Sequence, residues 1–320
     1  MNEELLRRML AEEAARVEVS PVALASIRRR IRRRWWRRIR VVPIGRGLVG
    51  AAAVVLTCVV GVSTCGPLAG PGSPAGPVTA PVAVYYQGGD PERRLYREFR
   101  QLAVGDGSSA ARVRAAVREL LAPDGADDPD YGSGWPAGSG LRGVTVDTGT
   151  ATVDLSGVAG RSGAVSHPAD DRGAEQTVQQ LVWTVTAVTG ITGVRVLLDG
   201  APVDRLWERV DVRGVLRRGP AVDVLAPVWL IDPQQGDRVG GRFEVHVAAL
   251  AGEPTVHLRV RQGDRTVAEQ VLALSAGPSA QGEAELVLTL APGDYTLRAY
   301  VVSVTDGAER FADDHRVTVG

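Results

Sequence analysis

Hydrophobic positions follow three different patterns along the chain. From Gly47 to Gly66 (GLVGAAAVVLTCVVGVSTCG) twenty residues pass without a charge. At about 1.5 Å per residue, a helix of that length covers roughly the 30 Å of a bilayer's hydrocarbon core. Backbone groups in lipid must be satisfied locally, so a single transmembrane helix is the expected state. Residues 66–81 (GPLAGPGSPAGPVTAP) are mostly Gly, Pro and Ala and read as a semi-extended spacer.

From residue 82 the pattern alternates between strand and helix periods. Val82–Tyr86 and Leu95–Leu102 read as strands, and Ser108 and Ser109 offer a helix N-cap. Val113, Ala116, Val117, Leu120 and Leu121 then follow at the spacing of one helix face. Leu141–Ser156 reads as a β-hairpin turning at Asp147-Thr148-Gly149. A second helix over 174–189 has the stripe Val178, Leu181, Val182, Val185 and Val188, and a strand follows at Val194–Leu198. The order βαββαβ, with one extra strand, predicts an α+β layer in which two helices cover one face of a small sheet. Over 224–320 helical periodicity fades. Strand-like runs recur at 228–232, 242–249, 255–261, 266–274, 284–290, 295–302 and 311–318, divided by turn signals such as Gly263-Asp264 and Asp306-Gly307. Seven short strands in this span predict an immunoglobulin-like β-sandwich, without a disulfide.

Composition adds an asymmetry. All 37 basic residues are Arg and balance 37 acids, but residues 1–46 hold 13 Arg against 5 acids while 47–320 hold 24 against 32. Nine Arg lie in 28–40 (RRRIRRRWWRRIR), and none between Pro67 and Glu92. The positive-inside rule then puts the N-terminus in the cytoplasm and the larger half outside, in a single-pass cell-membrane protein, with Trp35 and Trp36 suited to the headgroup region. About 46 residues before the span are too many for a cleaved signal peptide. Val62-Ser63-Thr64-Cys65 loosely resembles a lipobox, with Thr64 at the position that wants a smaller residue; the other reading makes Cys58 and Cys65 small apolar fillers. Two cysteines exclude a disulfide scaffold.

Residues 2–18 read as a short amphipathic helix with Glu3–Arg7, Glu4–Arg8 and Glu12–Arg16 pairs, broken by Pro21. The Arg-rich stretch fits topogenic charge with attraction to anionic lipid. Partner binding by the 2–18 helix is a second reading. Nucleic acid is not expected, because the charge sits too close to the bilayer for duplex access.

Candidate chemistry is sparse. Gly138-Ser139-Gly140-Leu141-Arg142-Gly143 satisfies G-x-G-x-x-G but runs into a Val-rich strand instead of opening a helix, so it reads as a turn and no cofactor follows. Asp124, Asp127, Asp128 and Asp130 form an acidic loop without the EF-hand spacing, read as solvated. His167, His246, His257 and His315 are scattered with no H-x-x-x-H or Cys partner, so no metal site is expected, and His246 and His257 read as ordinary sheet residues. Asp154 and Glu175 could be imagined as an acid–base pair, but Asp154 alternates with Val153 and Leu155 as a solvent-facing strand residue would. No G-x-S-x-G elbow or Walker loop occurs, so no catalytic residues are assigned and the chain is not expected to be an enzyme.

Three segments carry a family resemblance: Ala151–Ser156 (ATVDLS), Leu181–Thr186 (LVWTVT) and Val194–Gly200 (VRVLLDG). With Trp135-Pro136-Ala137-Gly138 before the hairpin, they resemble the GerMN domain of spore-germination and sporulation proteins over about 82–218; Ala122-Pro123 departs from the family's frequent Gly-Pro. Ile231-Asp232-Pro233-x-x-Gly236, Glu253-Pro254-Thr255-Val256, Gly293-Asp294-Tyr295 and Ser303-x-x-Asp306-Gly307 are similar to the Gmad2 domain, an immunoglobulin-like module often found beside GerMN. The resemblance implies a non-enzymatic fold related to ring-building modules, and hence protein–protein contact.

The expected organisation is therefore multidomain: a cytoplasmic segment 1–46, a membrane helix 47–66, a linker 67–81, a GerMN-like domain 82–218 and a Gmad2-like domain 224–320. Its expected role is an extracytoplasmic interaction module that binds an envelope or membrane protein or self-associates. Two alternatives stand beside it. One is a transmembrane regulator with an anti-sigma-like N-terminal segment. The other is a cell-wall or glycan binder using Tyr85, Tyr86, Trp135 and Trp207 as stacking platforms.

Overall fold

The computed structural model describes residues 78–89, 92–123, 125–158, 170–250, 254–276, 281–303 and 305–320, which belong to one compact unit. The 2–18 helix, the Arg-rich stretch, the 47–66 span, Cys65 and His167 lie outside the described residues. Among the described residues no helix is long and apolar enough to cross a membrane.

The first half holds β1 (Thr79–Gly88), β2 (Leu95–Ala103), α1 (Ser109–Leu120), β3 (Tyr131–Gly132), β4 (Gly140–Asp147), β5 (Thr150–Ser156), α2 (Asp171–Thr186), β6 (Gly193–Leu198), β7 (Ala201–Pro202), β8 (Arg205–Leu206) and β9 (Val210–Asp211). The expected single sheet is in fact two main sheets. One has the order β2-β1-β3 and the other β4-β5-β6-β7; β8 and β9 form a small ribbon. β5 and β6 run parallel, with α2 as the crossover between them. The helices do not cover one face of one sheet: α1 packs on β1 and β4, and α2 on β1 and β6. Both begin where a side chain can cap them. Ser108 Oγ accepts from Ala111 N at 3.2 Å, and Asp170 Oδ1 accepts from Gly173 N at 2.6 Å.

β1 explains why two sheets share these helices. Val82, Val84 and Tyr86 point into the main core with Val113, Val117, Leu120, Leu181 and Val185, while Tyr85, on the other face, joins a separate cluster. β3 pairs with only Gln87 and Gly88 of β1. At Tyr85 that edge is closed by helix side chains instead: Thr184 Oγ1 accepts from Tyr85 N at 3.0 Å, and Gln180 Nε2 donates to Tyr85 O at 3.0 Å. Buried backbone must find partners, and α2 supplies them from polar residues that are themselves buried.

The second half begins with the short helix α3 (Ala221–Val224) and continues with β10 (Val228–Asp232), β11 (Arg238–Val239), β12 (Arg242–Ala249), β13 (Thr255–Gln262), β14 (Arg265–Ala273), β15 (Gly282–Thr289), β16 (Gly293–Val302) and β17 (Glu309–Val319). The sheets are β10-β12-β15 and β11-β17-β16-β13-β14. Their inner faces meet through Leu230, Val245, Val247, Val256, Leu258, Leu297 and Val317, the alternating positions of each strand. The seven expected strands are present, with β11 in addition, and the half is an immunoglobulin-like sandwich.

Gly157 sits at φ +70, where an added Cβ would lie 2.4 Å from the Gly138 carbonyl oxygen; Gly200, at φ +83, has nothing within 4 Å. Both substitutions to Ala incur left-handed strain of about 1–2 kcal/mol, but only Gly157→Ala also forces backbone apart. Thermal unfolding of the two variants should therefore show Gly157→Ala with the clearly lower midpoint. Equal midpoints would contradict the packing of this turn against the 138–139 loop.

Candidate functional site

The two halves meet in a buried junction that has an apolar and a polar part. Tyr85, Leu95 and Trp183 of the first half pack with Val224, Leu225, Ala226, Trp229, Ile231 and Ala248. The Tyr85 and Trp183 rings lie 5.6 Å apart, and the Arg218 guanidinium caps Trp183 at 4.2 Å. The connecting segment follows the β2 edge: Ala226 N donates to Leu95 O at 2.9 Å. Arg172 and Gln176 of α2 both donate to Asp223 O, at 2.8 and 3.1 Å.

The polar part starts from Glu98 on β2. Its carboxylate accepts the amides of Asp127 and Asp128 at 2.9–3.0 Å, folding the acidic loop back onto the sheet. Arg100 closes the arrangement by pairing with Asp127 and with Glu119 at 3.0 Å. Burial pushes Glu98 above the usual carboxylate range, against the pull of the two amides and Arg100. The expectation of a solvated loop is thus corrected for Asp128, which is 2% exposed. Asp127 and Asp130 remain exposed, and Asp124 is outside the described residues. The loop folds inward because a buried Glu98 needs donors and the loop's own amides supply them.

Asp128 and Tyr131 then meet the second half. Tyr131 hydroxyl donates to Asp313 Oδ1, and Leu230 N donates to Asp313 Oδ2 at 2.6 Å. His315 Nδ1 donates to Pro233 O at 2.8 Å, which leaves Nε2 turned toward the first half. That Nε2 is 3.9 Å from Asp128 Oδ2 and 4.0 Å from Asp313 Oδ2, with all three side chains 4% exposed or less. Burial raises Asp128 and Asp313, opposed by the neighbouring imidazole and by their amide donors. Burial and the Asp313 charge likewise raise Tyr131. Nearby, Gln234 Oε1 accepts from Phe99 N on β2 at 2.9 Å. The Ile231-Asp232-Pro233-x-x-Gly236 motif therefore does its work at the junction.

Other expected positions resolve differently. Tyr85, Tyr86 and Trp135 are buried at 5%, 1% and 6%, and Trp207 packs on Trp135 with centroids 5.6 Å apart. Tyr85, Tyr86 and Trp135 are core residues and Trp207 is half-buried against them, so these are not open stacking platforms; the two tyrosines are enclosed because β1 is covered on both faces. Gly138–Gly143 turns into β4, as its Val-rich continuation predicted. Asp154 accepts from Gly200 N at 2.9 Å and pairs with Arg142, away from Glu175, which is exposed. His246 bonds Glu283 and His257 stacks on Tyr300, both within sheets. His315 is the exception to the scattered reading, since the fold places it beside Asp128 and Asp313. The one signal available was its place in a strand whose alternate residues, Asp313, His315, Val317 and Val319, all face inward.

Residues 83–204 match the family described as sporulation and spore germination, and residues 227–308 match the immunoglobulin-like domain of bacterial spore germination. No match is found among curated proteins. Among solved structures, the first GerMN domain of the sporulation protein GerM from Bacillus subtilis is 16% identical, covering 44% of this chain and 98% of that one, with a TM-score of 0.33. The tandem GerMN domains of the same protein are 12% identical, covering 66% of this chain and 61% of that one, with a TM-score of 0.33. Fibronectin(III)-like modules of CbhA from Clostridium thermocellum are 20% identical, covering 29% and 93%, with a TM-score of 0.21. The two family matches succeed one another along the two halves described above, and the chain therefore carries a GerMN domain followed by a Gmad2 domain.

Proposed function

We propose that the chain is a spore-germination-type envelope module: anchored by the 47–66 segment, exposed outside the membrane, and working by protein–protein contact without turnover. The observation that carries this reading is the use made of its buried titratable groups. Glu98, Asp128 and Asp313 hold main-chain amides within their own halves, and Tyr131 bonds Asp313 across the junction, which is structural work. Two surface hollows of about 410 and 270 Å³, at Phe99 and at Arg93, have no histidine among their lining residues to activate a hydroxyl. A two-domain unit held as a single body is suited to presenting a fixed surface to an envelope partner or to another copy.

Membrane orientation is tested with protease added to intact spheroplasts. The expected result is digestion of epitopes beyond residue 82 and survival of an N-terminal tag. The reverse pattern would overturn the placement. Contact is tested by in-cell crosslinking of the full chain followed by mass spectrometry, with crosslinks expected from residues 82–320 to an envelope protein or a second copy. Recovery of intrachain links alone would remove the interaction reading.

The single-body premise has its own measurement. Trp229 is 2% exposed at the centre of the apolar junction, and truncating such a residue typically costs about 3–5 kcal/mol. The full chain should show one cooperative calorimetric transition across both domains. Trp229→Ala should lower its midpoint strongly, with Trp229→Phe in between. Two independent transitions in the unaltered chain would show that the domains do not share their stability.

A further inference from the structure

His315 Nε2 is a buried nitrogen facing two carboxylate oxygens, from different domains, at a spacing too long for a hydrogen bond to either. We propose that Asp128, Asp313 and His315 bind a divalent cation of the zinc type, which ties the GerMN domain to the Gmad2 domain.

Charge is the first argument. Among the described residues no arginine pairs with Asp128 or Asp313; the only ion-pair partner of either is His315. A protonated imidazole would offset one of the two buried negative charges, whereas a dication with a neutral imidazole offsets both. Buried charges are stable when paired or when they coordinate a metal.

Orientation is the second. Each donor is held from behind by its other polar atom: Pro233 O takes the His315 Nδ1 proton, Asp130 N donates to Asp128 Oδ1 at 2.8 Å, and Tyr131 donates to Asp313 Oδ1. Outer contacts of this kind fix the imidazole tautomer so that the Nε2 lone pair is the free one, as metal-ligating histidines require. Asp313 Oδ2 also accepts the Leu230 amide, which leaves a lone pair for a cation.

Distance and donor type are the third. The three candidate ligand atoms all lie within 4.8 Å of one another. Zinc–nitrogen and zinc–oxygen bonds of about 2.0–2.2 Å in a tetrahedron set ligand atoms roughly 3.4 Å apart, so a bound ion would shorten the two contacts to Nε2 by about half an ångström and draw the two carboxylate oxygens to the same spacing. One imidazole among the donors favours zinc or a similar first-row ion over calcium or magnesium, which take oxygen. Three protein ligands leave a fourth position for water.

The test uses the full chain with Cys58→Ser and Cys65→Ser, which removes the only thiols. After chelator treatment, Zn²⁺ is titrated by calorimetry at neutral pH and Co²⁺ by visible absorption. One equivalent of Zn²⁺ should bind, raise the thermal midpoint by several degrees, and displace Co²⁺ from a tetrahedral visible band. Asp128→Asn and His315→Gln should each weaken Zn²⁺ binding at least tenfold and abolish the midpoint rise. Should either variant fail to fold, the cobalt band and its displacement by zinc in the parent chain decide the matter alone. Absence of that band, or Zn²⁺ affinity unchanged in folded variants, would overturn the site.

Discussion

A carboxylate taken out of water must be met by donors or by positive charge, and among the described residues Glu98, Asp128 and Asp313 are all withdrawn from water near the boundary between the domains. Meeting that requirement organises much of the structure around them. Glu98 gathers the amides of residues 127 and 128, and this gives the acidic loop its conformation. The same loop then delivers Asp128 and Tyr131 to the second domain. Asp313 in turn accepts from Tyr131 across the boundary and from Leu230 within its own domain. Each carboxylate thus connects elements that hydrophobic burial alone would leave free to slide.

The apolar half of the junction depends on a related constraint in the first domain. β1 carries Tyr85 and Tyr86 in succession, one on each face, and a strand can bury both only if both faces are covered. The helices cover the Tyr86 face, while Trp183 and the Gmad2 residues Trp229 and Ile231 complete the cluster around Tyr85. Without its neighbour, the GerMN domain would expose Tyr85 and Leu95 to water. The second domain is in this sense part of the first domain's core.

What the sequence made legible follows from what is local. The hairpin over 140–156, the seven strands after 228 and the capped helix at 109–120 all rest on period-two or helix-face patterns with Gly, Asp or Ser at their ends, and those patterns act within a few residues. Division of the first domain into two sheets was not legible, because it depends on α2 offering Thr184 and Gln180 to a strand edge far away in sequence. The acidic loop looked solvated because nothing in its own residues announces Glu98, which sits on β2 among ordinary charged neighbours. His315 looked isolated for the same reason. Aromatic residues at 85, 86 and 135 suggested an open platform, since sequence does not reveal that a strand is covered twice.

Interfaces between domains of one chain usually permit relative motion unless they are large and apolar. This junction combines two kinds of restraint. Trp183, Trp229, Leu95 and Leu225 supply burial, which is strong but tolerates sliding, since one apolar neighbour can replace another. The polar groups do not tolerate it. A shift of one residue along β2 would part Phe99 N from Gln234, and a slide of the two domains in contact would strip Asp313 of Tyr131 while both stay buried. Each buried group left without its partner costs about 1–3 kcal/mol, more where it is charged. Motion would incur these losses together, so the apolar contacts give the junction its strength and the carboxylates fix its register. The outer surface of the two domains is accordingly one surface, set by both.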